Sequence, residues 1–67
     1  MNFINLRVVL VRPQYSGNIG AVARAMRNFA VRDLALVNPA PLQRTQADMM
    51  AVHARDVLDH MQIHTSV

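Results

Sequence analysis

The stretch LRVVLVRPQYSGNIGAVARAMRNF, residues 6–29, sets a short β-branched run against a helix-forming segment with a single loop between them. Leu6, Val8, Val9, Leu10 and Val11 make the kind of run that is buried on both faces of a parallel sheet. Pro13 has no N–H to give to a strand ladder and ends the run. Gln14, Tyr15, Ser16 and Gly17 then read as a loop, and Asn18 as the cap of a helix extending to about Phe29. At about 100° per residue, Ile19, Val22, Ala23, Met26, Phe29 and Ala30 share one face, and Gly20, Arg24, Arg27 and Asn28 another.

The same junction concentrates groups that can do chemistry. Helical side chains lean toward the N-terminus, so Arg24 is expected to reach back over Gly20, where no Cβ stands in its way. Asn18, the free N–H groups of the first turn and Arg24 could then face one phosphate or ribose oxygen. Arg12, Arg27 and Ser16 are further candidates for substrate contact, with Gly20 as the opening between them. Spacing alone favours a capped helix with a solvated arginine outside, and for Arg12 and Arg27 solvation is the plainer reading.

Leu34, Leu36 and Val37 predict a second strand, closed by Asn38, Pro39, Ala40 and Pro41. A second helix follows over about 43–52, a further helical turn or two over about 55–60, and a short third strand over 62–64. The order βαβαβ predicts an α/β chain with a parallel, doubly wound, Rossmann-like sheet, with ligands at the carboxyl ends of the strands near residues 13–17. No repeat or linker divides the 67 residues.

Composition bounds the partners. A chain of this length buries only about 60% of its unfolded surface, so its core is marginal. There is no cysteine, hence no disulfide and no thiolate metal site, which is compatible with a cytoplasmic protein. No apolar stretch is long enough to span a membrane, and the first twelve residues lack a secretory pattern. The net charge of +3 suits a phosphate-rich partner, and every lysine-or-arginine position is arginine, the residue suited to bidentate phosphate contacts. One tyrosine and two phenylalanines are too few for a base-stacking platform. Asp56, His60 and His64 fall at four-residue steps, but a strand near Ile63 would break the helix they need, and no metal is expected. The methionines read as core filling at Met26 and as contact surface at Met49, Met50 and Met61.

The string from Val8 to Phe29, with Asn18, Gly20 and Arg24 at its centre, followed by DLALVNP at 33–39, resembles the opening of the SpoU-type, or TrmH-like, branch of the SPOUT RNA methyltransferases. Within it the TrmJ-like tRNA enzymes look most similar, and the segment 51–58 also fits. The resemblance implies the N-terminal part of a SPOUT fold whose C-terminal knot is absent from the chain. It also implies methyl transfer from S-adenosylmethionine to a ribose 2′-oxygen of RNA, with tRNA as the expected class. Arg24 would stand at the catalytic arginine and Asn18 at the motif's asparagine. A guanidinium is a poor base, so Arg24 is expected to lower the hydroxyl's pKa and orient its oxygen while a phosphate or water takes the proton.

Two positions depart from the family pattern: Ala30 where glycine commonly ends the first helix, and His53 where glycine is usual. Ala30 must turn left-handed at some cost or end the helix differently, and His53 could obstruct a close backbone approach. Since the family's cofactor is held by the knot, S-adenosylmethionine binding and catalysis by these residues alone are not expected. The alternative is a non-catalytic RNA-binding or self-association module. On either reading, apolar faces left open on a half-sheet predict a homo-oligomer.

Overall fold

The computed structural model describes residues 6–65. Its elements follow the predicted order: β1 (Arg7–Val11), α1 (Ser16–Asn28), β2 (Asp33–Val37), α2 (Arg44–Ala51), α3 (Arg55–Asp59) and β3 (Gln62–His64). The strands form one parallel sheet in the order β1-β2-β3, with Val8 level with Leu34, and Leu10 level with both Leu36 and, through it, Ile63. The order runs in one direction, and the helices of the two crossovers pack into one core with Val8, Leu10, Leu34 and Leu36.

β2 is the central strand and its Leu34, Ala35, Leu36 and Val37 are all buried. The both-face burial expected of β1 is corrected, because β1 lies at the sheet edge and its exposure alternates. Val8 and Leu10 pack on the core, while Val9 and Val11 on the opposite face are 50% and 57% exposed. The core is one cluster in which Ile19, Ala23 and Met26 of α1 meet Leu34 and Leu36, Ala47 and Ala51 of α2, and Val57 and Leu58 of α3. Met26 is buried as expected, whereas Met61 packs against the core and Met49 and Met50 are exposed. Phe29, placed on the apolar face by periodicity, is instead 63% exposed.

Backbone hydrogen bonds stitch the carboxyl end of the sheet together. Arg12 and Asn38 each follow a strand, each has positive φ (53° and 49°), and each donates its N–H to the next strand: Arg12 to the Val37 carbonyl at 2.8 Å, Asn38 to the His64 carbonyl at 2.7 Å. The Ala40 N–H reaches the Pro13 carbonyl at 3.0 Å, joining the two loops.

Helix α1 takes the left-handed one of the two endings expected with alanine at position 30. Val31 N–H returns to the Met26 carbonyl and Ala30 N–H to the Arg27 carbonyl, a Schellman closure with Ala30 left-handed at φ 58°.

Candidate functional site

Asn18 does not cap α1. The helix begins at Ser16, its N-cap is Tyr15 in extended conformation, and no side chain caps it. Asn18 lies in the first turn, exposed, with its own N–H on the Tyr15 carbonyl at 3.1 Å. The helix starts early because Ser16 is needed elsewhere: its hydroxyl, buried under the loops, accepts the Gln43 N–H at 2.8 Å and so fixes the entry to α2. Ser16 is thereby corrected from a loop residue facing substrate to a buried tie between the two helix starts.

Gly20 is corrected in the same way. It is buried against α2, and a Cβ built on it would overlap the Ala47 carbonyl group. The missing side chain therefore lets two helix backbones approach; it does not open a cleft beneath Arg24. The geometry also separates Asn18 from Arg24, since six helical residues place them about 9 Å apart along the axis and about 120° apart around it. The expected convergence of Asn18, Gly20 and Arg24 on one oxygen is not made within α1.

Arg24 instead lines a depression with Arg27 and Asn28 of α1 and with Ala51, Val52, His53 and Ala54, where α2 turns into α3. It lies about 12 Å along α1 from Ser16, well below the loops at the carboxyl ends of the strands. The turn is held by Val52, whose φ of 54° and ψ of −105° are unfavourable for a β-branched residue. His53 is exposed on the wall of this depression, so it borders the space beside Arg24 with an imidazole where the family pattern has no side chain.

The distribution of charge sharpens the role of Arg24. All four aspartates are engaged: Asp33 by Arg7 and Asp56 by Arg27, both at 2.8 Å, and Asp48 and Asp59 by Arg44. Hydrogen bonds that Arg44 donates to Asp59, first, and Asp48, second, raise its pKa above the ordinary value. Arg12, Arg24, Arg32 and Arg55 have no carboxylate partner among the described residues. Arg27, a candidate for phosphate, is thus committed to linking α1 with α3, whereas Arg12 stands free at the exit of β1. His60 places Nδ1 2.8 Å from the Asp56 carbonyl, while His64 lies on β3, so the four-residue spacing noted in the sequence does not continue on one helix.

The described residues do not fit S-adenosylmethionine. A sulfonium favours a free carboxylate, and all four are paired with arginine. Ser16 is the buried polar side chain, and its hydroxyl is already held by the Gln43 N–H.

Residues 5–67 match the model of the SpoU rRNA Methylase family. The chain is 43% identical over 63 residues to the tRNA (cytidine-2′-O-)-methyltransferase TrmJ of Methanocaldococcus jannaschii, covering 94% of this chain and 27% of that protein. Among solved structures, TrmJ from Z. mobilis superposes with a TM-score of 0.86 at 40% identity, over 91% of this chain and 28% of that one. A probable methylase family protein from Haemophilus influenzae superposes with a TM-score of 0.90 at 30% identity, over 98% and 27%. The chain therefore spans about a quarter of the length of these relatives.

Proposed function

Because the chain belongs to the SpoU rRNA methylase family, we propose that residues 1–67 are the N-terminal, substrate-side portion of a SPOUT domain that methylates a ribose 2′-oxygen of RNA. The observation that carries this reading is Arg24: an exposed guanidinium, unpaired among the described residues, at the edge of a formed depression in a chain whose aspartates are all consumed elsewhere. The resemblance to tRNA enzymes of the TrmJ type supports tRNA as the RNA class and S-adenosylmethionine as the methyl donor. The donor's site would be built by residues other than those described.

Within this reading Arg24 acts on the acceptor. Its N–H groups donate to the ribose 2′-oxygen, stabilise the charge that grows there as the hydroxyl proton leaves to a phosphate oxygen or water, and fix the oxygen's direction. Asn18, two turns nearer the loops, is positioned to hold a different part of the substrate. Arg12, free at the exit of β1, is placed to hold a phosphate. The half-exposed Val9 and Val11 support assembly into a homo-oligomer, and the composition supports a cytoplasmic setting.

The test is Arg24→Lys and Arg24→Ala in a chain carrying the whole methylase domain, with methyl transfer and RNA affinity measured side by side. Losing one preorganised donor is expected to lower turnover by about 10²–10³, with a much smaller change in affinity. Equal losses in both would make Arg24 an RNA-binding residue only.

A further inference from the structure

The depression beside Arg24 does not end there. A second one adjoins it, lined by Arg27, Val52, His53, Arg55 and Asp56, so that Arg27, Val52 and His53 form a shared wall. Along this seam between α1 and the α2–α3 turn stand three guanidinium groups against one carboxylate. Arg55 is the informative member. It opens α3, and Asp59 lies one turn on at the position from which a helix ordinarily pairs such a residue. Asp59 is taken by Arg44, and the adjacent Asp56 by Arg27. Two long-range ion pairs thus remove the carboxylates nearest Arg55 and leave its guanidinium exposed and unpaired among the described residues.

We propose that Arg55 is a second anchoring residue, and that the seam from Arg24 to Arg55 binds the phosphodiester backbone of the nucleotides flanking the acceptor ribose, with His53 as a hydrogen-bonding group between them. The inference rests on the reading of Arg24 given above and extends it from one nucleotide to a strand. Guanidinium groups suit phosphate in planar, two-pronged contacts. Neither Tyr15 nor Phe29 borders the seam, so it is furnished for backbone charge and not for base stacking. Val52 gives the seam its shape: the strained turn that it forms carries His53 onto the wall common to both depressions.

The experiment is a salt series of fluorescence anisotropy titrations of a labelled tRNA with the 67-residue chain and its Arg55→Gln, Arg55→Lys, Arg24→Gln and Arg32→Gln variants. Arg32 is unpaired like Arg55 but lines neither of these two depressions, bordering instead grooves with Ala30, Asp33 and His60 and with Asp56 and Val57, so it controls for the loss of one charge. Arg55→Gln is expected to weaken binding several-fold and to lower the slope of log affinity against log salt by about 0.7–0.9, one phosphate contact. Arg55→Lys should keep the slope, and Arg32→Gln should leave slope and affinity close to the parent chain. Equal effects of Arg55→Gln and Arg32→Gln would overturn the proposal, as would absence of tRNA binding by the parent chain. Arg24→Gln should change affinity little; if Arg55→Gln matches Arg32→Gln while Arg24→Ala, in a chain carrying the whole methylase domain, loses methyl transfer but not RNA affinity, the second anchor is wrong and the reading of Arg24 survives. If Arg55→Gln lowers the slope while Arg24→Ala keeps full turnover in a chain carrying the whole methylase domain, the seam binds backbone but the acceptor role of Arg24 falls. Competition by polyglutamate as strong as that by polyuridylate would identify an acidic protein surface as the occupant and overturn the phosphodiester assignment.

Discussion

Arg27 donates through Nη1 to Asp56 Oδ2 at 2.8 Å, tying α1 to α3, and this pair leaves Arg24, one turn earlier on the same helix, without a carboxylate partner among the described residues. A helix that carries two arginines toward one surface has therefore divided their roles. One holds the fold together and the other faces solvent beside a turn.

Asp56→Asn should reverse that division. Both partners are 44% exposed, so the pair is worth at most about 1 kcal/mol and the variant should melt no more than about 4–8 °C below the parent. The freed Arg27 guanidinium should strengthen tRNA binding and steepen its salt dependence. Thermal denaturation and anisotropy on the same preparation check both halves.

Gly20→Ala and Gly17→Ala should differ in sign. A Cβ at Gly20 meets the Ala47 carbonyl in the backbone of α2, which cannot step aside, and overpacking of this kind costs about 1–3 kcal/mol or more. At Gly17 the nearest atom is Met50 Cγ at 3.4 Å, the middle of a flexible side chain, and alanine improves helix propensity by up to about 1 kcal/mol. Urea denaturation of the two variants would separate them clearly.

Ser16→Ala removes the acceptor of the Gln43 N–H at a part-buried position. The expected cost is about 1–2 kcal/mol, with faster amide exchange at the start of α2. Hydrogen exchange read by NMR distinguishes this local loosening from a general loss of stability.

Ala30→Gly and Val52→Gly should both stabilise. Ala30 sits left-handed at the end of α1, a conformation that costs an L-residue about 1–2 kcal/mol and glycine nothing, and Val52 carries strain of about 1–3 kcal/mol at a position 42% exposed. In a domain of this size a gain of about 1 kcal/mol raises the melting temperature by about 4–8 °C. A fall in melting temperature for Val52→Gly would show that packing of the valine outweighs its backbone conformation.

What the sequence disclosed and what it hid divide along the distance over which each signal acts. The apolar runs at Val8 to Val11 and Leu34 to Val37, the proline-bearing loops and the alternation of periods are local, and they carried the element order and the three residues of β3. The left-handed turn at Ala30 was legible too, since a short list of conformations can end a helix there. The partner of Gly20 was not, because an Ala47 carbonyl twenty-seven positions away leaves no trace in the residues around the glycine. Ser16 misled for the same reason: a serine at the head of a helix looks solvent-facing until Gln43 is folded onto it. The pairing of Arg27 with Asp56 also crosses elements, so spacing could group the arginines but not say which one would be left free. Asn18 and Arg24 lie close in the motif, yet a helix turns them to different directions, and their joint presence in the sequence does not require that they touch one atom.

The hydrogen bonds that join the strand exits have a further meaning for recognition. Arg12 to Val37, Asn38 to His64, Ala40 to Pro13 and Gln43 to Ser16 fasten the loops 12–15 and 38–43 to each other and to the strand and helix ends around them before any ligand arrives. Loops secured in this way give up little conformational freedom on binding and have little capacity to remould themselves. Whatever meets this end of the molecule therefore meets a surface whose shape is already set by the chain's own backbone.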